Sequence, residues 1–429
     1  MALTFGCSPP RGSHNECMTH SEDSPSNTFE PERIPHNPIL IGSDPGAILA
    51  AMPSMMGFVP DRSLVIIGIL PDPSHPHRFR VGPVVRAEMD PESITDAVRA
   101  MARALTDIED VKALLYAIHP RKAQAEQYVD MAEETLLDHE IGSLGSWWAP
   151  ELVSGGDWED LETEGGGSIG PLTDNPMHSH SAIHGAKIFS NRKELDTWLT
   201  PLKSVQPLYP RTFVDSAESA GETTELLKDA CTVMDFVLSI YSGDALLEQE
   251  CGRRKFVLAA ASLARDERLH PLLVALSLGD RAPIMRELLA EAARRTRTQV
   301  RRRLLALLST VLAGNGEGMP AFHTLQRCGS ELGKPRELGN IDGLTALMRS
   351  HLWQGHMEGT SKAQAHRVAE HGVFWAVNWA LPEDSPRDAQ MEETFRERYR
   401  EFIDKLERAV DWDAMAEAVP SGPCLPEHS

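Results

Sequence analysis

The residue pattern predicts an α/β amino-terminal domain joined to an all-α carboxy-terminal domain. Three observations carry that prediction. The run Ser63-Leu64-Val65-Ile66-Ile67-Gly68-Ile69-Leu70 is short, aliphatic and rich in β-branched residues, as a strand covered on both faces must be. Strand-like runs and helical periods then alternate as far as residue 200. Beyond residue 222 only helical periods remain, separated by short turns that carry Gly or Pro.

Taken in order, residues 1–37 are polar, with Pro9, Pro10 and Pro31 among acids and no apolar period, so a disordered tail is expected. Asp44-Pro45 supplies an N-cap with proline at the first helical position. Pro53 is expected to end or bend that helix. Gly57 to Asp61 turns the chain into the 63–70 strand, and Phe79 to Ala87 is expected to pair with it as a hairpin. Asp90-Pro91 opens a second helix, in which Ile94, Ala97, Val98, Met101 and Leu105 share one face. Val111 to Ile118 is a further strand, 121–139 a helix, and Gly145 to Trp148 one more short strand, giving a mixed, largely parallel sheet with flanking helices. Residues 151–175 are acidic and Gly-rich and are expected to form a partly disordered loop. A strand-like Ala186 to Phe189 and a helix over 192–199 complete an α/β domain of 38–200, followed by a Pro-rich linker over 201–221. The helical domain spans 222–412, with helices expected at 222–241, 244–264, 268–278, 282–293, 297–313, 317–330, 341–351, 361–380 and 388–409, and 413–429 forms a loose end.

The chain has 42 Lys and Arg against 63 Asp and Glu, a formal net charge of −21 among 429 residues. So acidic a surface repels nucleic-acid backbones and anionic headgroups in bulk, so nucleic acid is an unlikely partner on charge alone. The apolar runs at 64–70 and 304–308 fall far short of the roughly 18 to 20 residues that cross a bilayer. The first residues lack the basic-then-apolar pattern of a signal peptide. Six widely spaced cysteines with no Cys-x-x-Cys pair fit a reduced, cytoplasmic protein.

The stretch Asp44 to Gly68 contains Leu49-x3-Pro53-x3-Gly57-Phe58-x-Pro60-x2-Ser63-Leu64-Val65. This core resembles the opening motif of an actinobacterial family known as domain of unknown function 4192. Trp147-Trp148 with the later Ser190-Asn191-Arg192-Lys193-Glu194-Leu195, and Leu304 to His323 with Gly314-Asn315-Gly316, are weaker points of similarity. The resemblance covers 38–330 discontinuously. It implies a fold and a cytoplasmic setting, and it carries over no catalytic or ligand residues.

Three groups of residues are candidate sites. The turn Gly57, Phe58, Asp61, Arg62 and Ser63 has a structural reading: a positive φ at Gly57, a core plug at Phe58 and a strand entrance at Ser63. As a helix–turn–strand junction it is also a place where ligands bind. His178 and His180 would project to one face of an extended strand and, with His184, could hold Zn²⁺ or Ni²⁺; an exposed loop is the plainer reading. Six arginines fall within 294–303, and Arg294, Arg297 and Arg301 would share a helical stripe flanked by Arg302. Such a cluster can clamp anions or a partner, or neutralise the acid surplus within the fold. No P-loop, Gly-x-Ser-x-Gly or His-Glu-x-x-His motif is present, and no cofactor is implied.

The expectation that follows is a non-catalytic scaffold or adaptor that binds a protein partner, or a second copy of itself, through the helical half. The competing expectation is an enzyme or small-ligand sensor with its site at the Gly57–Ser63 turn and the carboxyl ends of the strands.

Overall fold

The computed structural model describes residues 3–6, 39–40, 44–71, 78–105, 108, 110–203, 207–208, 220–241, 250–265, 269–331 and 389–412. His75-Pro76-His77, the helices expected at 341–351 and 361–380 with Trp353, Trp375 and Trp379, and the 413–429 end lie outside them.

The sheet contains β1 (Leu3–Gly6), β2 (Ile39–Leu40), β3 (Ser63–Pro71), β4 (Arg78–Glu88), β5 (Lys112–Ile118), β6 (Gly142–Ala149), β7 (Asp157–Asp160) and β8 (Gly166–Ser168). Their spatial order is β2-β1-β4-β3-β5-β6-β7-β8. β3 pairs antiparallel with β4 on one side and with β5 on the other. β5 and β6 are parallel, and β6–β7 and β7–β8 are antiparallel. The sheet is therefore mixed, as expected, but mostly antiparallel rather than largely parallel. The helical crossover from β4 to β5 does make those two strands parallel to each other; β3 lies between them and reverses both pairings.

β3 is buried on both faces through Leu70. Val65, Ile67 and Ile69 face one apolar cluster, and Leu64, Ile66 and Leu70 face another. The second cluster is closed by α2 (Pro91–Leu105) and α3 (Lys122–Leu137), through Ile94, Val98 and Met101 and through Ala125, Val129 and Leu136. Asp90 caps α2, its Oδ1 accepting from Ser93 N at 2.9 Å. The first cluster is covered by α1 (Pro45–Met56) and continues without a break into the helical half, reaching Leu289, Leu304 and Phe402. Asp44 caps α1, which runs through Pro53 to Met56 instead of ending there.

Two segments expected to be loose contribute to the sheet. Leu3–Gly6, within the stretch read as a tail, pairs antiparallel with β4. The acidic segment 151–175 folds as the β7–β8 hairpin, because Trp158 turns inward while Asp157 and Glu159 remain in solvent. Ala186 to Phe189, expected as a strand, makes only one parallel bridge, between Phe58 and Phe189.

α4 (Pro176–Ile183) and α5 (Arg192–Leu199) lead to the helical half. There α6 (Ala220–Tyr241), α7 (Glu250–Arg265), α8 (His270–Ala275), α9 (Ala282–Arg295), α10 (Thr298–Gly314), α11 (Gly318–Ser330) and α12 (Ala389–Ala409) follow the expected spans closely. The short turns produce neighbouring packing of α9 on α10, α10 on α11 and α6 on α7, with α12 lying on α6. Among the described residues no helix is long and apolar enough to cross a membrane.

Candidate functional site at the seam of the two halves

Gly57 caps α1 with φ 72°, the left-handed conformation that glycine adopts without strain. The chain then turns into β3 through Phe58, which is fully buried. Phe189 locks this corner from the side, donating its N–H to Gly57 O at 2.8 Å and accepting from Val59 N at 3.1 Å. α11 closes it from the helical half. Pro320 lies against Gly57, and the His323 ring meets Phe58 edge-on at 5.7 Å.

Beside the corner lies a polar cluster. Ser63 Oγ donates to Asp61 O at 2.6 Å and accepts from Arg86 Nε at 2.7 Å. Arg86 also donates to Glu88 Oε1 at 2.9 Å and to Asp61 O, and its guanidinium lies 6.0 Å from the Phe58 ring centre. Arg192 donates to the same Glu88 oxygen at 2.7 Å. Arg192 is held at the start of α5 by a reciprocal cap. Asn191 Oδ1 accepts from Glu194 N at 3.0 Å, and Glu194 Oε2 accepts from Ser190 N at 2.7 Å. Burial works against ionising Glu88, but the hydrogen bonds and charges of Arg86 and Arg192 hold its carboxyl below the usual range. His323 is only 7 % exposed, and its Nε2 has no hydrogen-bond partner among the described residues. Burial first, then the charges of Arg192 and Arg86, push its imidazole down to about 4, so it is neutral at pH 7.

Register places the cluster at one end of the sheet. Ser63 stands opposite Glu88 and Ile118, and Ile118 opposite Ala149, so β4, β5 and β6 all finish there. The turn residues Gly57, Phe58 and Ser63 are thus brought to the carboxyl ends of the parallel pair. Phe58 and Ser63 line the cluster, Asp61 joins it only through its carbonyl, and Arg62 is exposed.

Sequence reasoning missed Arg86, Glu88, Arg192 and His323. A signal existed for each: Arg86 and Glu88 are two apart on one strand, Arg192 follows an Asn cap, and His323 is a polar residue on a buried helical face. Nothing in the sequence said that the four would meet.

The arginine segment is not one helical stripe. The helix breaks at Thr296 and Arg297, which are extended, separating α9 from α10. Arg301 is 1 % exposed, donates to both Glu331 oxygens at 2.7 and 2.8 Å, and reaches Ala293 O and Leu199 O. Arg297 donates to Arg294 O, Thr296 O and Leu202 O, and Arg294 pairs with Glu291. Arg302 is half-buried. The segment therefore neutralises charge and satisfies helix-end carbonyls inside the fold.

The histidines lie on a helix, not a strand. Asn175 accepts from His178 N and Pro176 starts α4, so His178 and His180 fall on different faces. His180 and His184 are one turn apart, with ring centres at 4.2 Å. Among the described residues no group of three His, Cys, Asp or Glu side chains could hold a metal ion.

The architecture is thus a mixed sheet with helices on both faces and a helical half sharing its core. Residues 45–332 match the family described as domain of unknown function (DUF4192), and the chain belongs to that family. No curated protein and no solved structure matches it.

Proposed function

We propose that this chain binds a small anionic ligand, one carrying a carboxylate or phosphate group, at the seam formed by Ser63, Arg86, Arg192 and His323. The observation that carries the reading is His323: a nine-tenths buried, neutral imidazole with an unpaired Nε2 beside two guanidinium groups. A buried polar atom without a partner costs about 1–3 kcal/mol, and such a group is retained where it has a task. Arg192 is at the rim and half-exposed, so it can meet a ligand from solvent and relay it to Arg86 and His323 below. Because the cluster draws on β4, α5 and α11, occupancy would couple the two halves, as a sensor requires. The adaptor reading then rests on the helical array rather than on the arginine stripe, since Arg301 and Arg297 are engaged within the fold. We place the protein in the cytoplasm, in keeping with Cys231, a buried thiol outside any disulfide.

Calorimetric titration of the full chain with inorganic phosphate and with citrate tests the proposal. A saturable heat is expected, with affinity reduced at least about tenfold in Arg192→Gln, the loss of one charge-assisted contact. Absence of heat from both probes, or unchanged affinity in Arg192→Gln and His323→Gln alike, would overturn it.

A further inference from the structure

We infer a second ligand site at the amino end of α1, beneath the β7–β8 hairpin, that takes a small hydroxyl-bearing molecule such as a sugar or other polyol. It shares no residue with the seam and does not depend on the reading given to the seam.

Two hydrogen-bond donors lie here without partners among the described residues. Tyr116 Oη, on β5, belongs to a side chain with 0 % exposure, and Trp158 Nε1, on β7, to one with 9 %. The indole reaches the helix end because glycines flank it. A Cβ at Gly46 would stand 2.8 Å from Nε1, and one at Gly167 would stand 3.0 to 3.1 Å from three indole atoms. The same Gly46 position is 3.1 Å from Asp44 Oδ2, so the Asp44 carboxylate and the Trp158 N–H share one small space. Asp44 is also close enough for its charge to act on the Tyr116 hydroxyl. The residues Asp44, Gly166, Gly167 and Ser168 are exposed, while Tyr116 and Trp158 are buried.

The chemistry of the set selects the ligand. An anion would suit the two donors and the positive helix end but would meet the Asp44 carboxylate. A cation would suit Asp44 but would face an O–H, an N–H and the helix end. A hydroxyl accepts from Tyr116 or Trp158 and donates to Asp44 in one placement. Trp147, half-buried and stacked on Tyr116 with ring centres 4.9 Å apart, adds the aromatic surface against which a sugar's C–H face packs.

Saturation-transfer NMR on the full chain provides the test, with glucose and myo-inositol as probes and acetate and methylammonium as comparators. Transfer to at least one polyol is expected, and about fivefold weaker binding in Tyr116→Phe, the effect of losing one hydrogen bond. Trp158→Phe gives the same reading should Tyr116→Phe fail to fold. No transfer to either polyol, equal transfer in the variants, or stronger transfer to acetate or methylammonium would overturn the inference. So would a crystal grown in either polyol in which Tyr116 Oη and Trp158 Nε1 meet water only.

Discussion

Pro320, in the first turn of α11, sits so close to Gly57 that a methyl group on Gly57 would lie 2.5 Å from the proline Cγ. Two residues 263 positions apart thereby join the α1–β3 corner to the helical half, and the contact is possible only because position 57 has no side chain.

Gly57→Ala is accordingly expected to destabilise the protein by about 2–4 kcal/mol. Roughly 1–2 of this comes from the left-handed backbone and the rest from overpacking. Urea denaturation of Gly57→Ala, Pro320→Ala and the double variant separates the two parts. Pro320→Ala should recover only the packing part, so the cycle should show coupling; simple additivity of the two single variants would contradict the contact.

The His323 imidazole implies a definite pH window. Its folded value of about 4 lies below the ordinary 6.5, so the unfolded chain takes up a proton first as the pH falls. The stability it preserves is present in full above pH 6.5 and is lost progressively as the pH falls towards 4, on the order of 3 kcal/mol in total. Denaturant midpoints measured at pH 7 and pH 4.5 should differ by less in His323→Leu than in the parent protein. An identical difference would show that the loss arises elsewhere.

Arg301, itself 1 % exposed, is fixed by a bidentate pair with the partly exposed Glu331 and by two carbonyls from other segments. Arg301→Ala leaves those acceptors unpaired and should cost about 3–5 kcal/mol, seen as a large fall in Tm. Arg301→Lys should not rescue it, because an ammonium cannot span both carboxylate oxygens and both carbonyls. With the arginines so engaged and a net charge of −21, the parent protein should leave the gel mobility of a DNA duplex unchanged at about 50 mM salt.

Two glycine-to-alanine changes in helices should have opposite signs. Gly46→Ala would normally gain about 1 kcal/mol in helix propensity, but its methyl group would fall 2.5 Å from Ser168 O and 2.8 Å from Trp158 Nε1. A net loss of about 1–3 kcal/mol is expected. Gly329→Ala in α11 meets nothing within 4 Å and should gain up to about 1 kcal/mol. Thermal melts of both variants check the pair.

Much of the chain was legible because local physics dictates it. Asp44 and Asp90 cap their helices as the Asp-Pro pairs predicted, Gly57 takes its left-handed turn, and β3 is covered on both faces, as an uninterrupted aliphatic run requires. The boundaries of α9, α10 and α11 follow from Gly, Pro and the apolar period. The 151–175 segment was misread because its charges outnumber its one inward tryptophan, yet Trp158 is enough to anchor a hairpin against α1. The 178–184 histidines fall on a helix because the Asn175 cap and Pro176 form a start signal that outweighs the alternation of His178 and His180.

Local residue pattern fixes most of the helices and the long central strands, since capping, backbone sterics and burial period act over a few residues. The three-dimensional fold inserts β3 between β4 and β5 and makes the sheet mostly antiparallel. It alone turned Arg301 inward, and it alone gathered Ser63, Arg86, Arg192 and His323 into one place. Those outcomes depend on which distant surfaces exclude water together, and a linear pattern of residue types records the surfaces without recording their pairing.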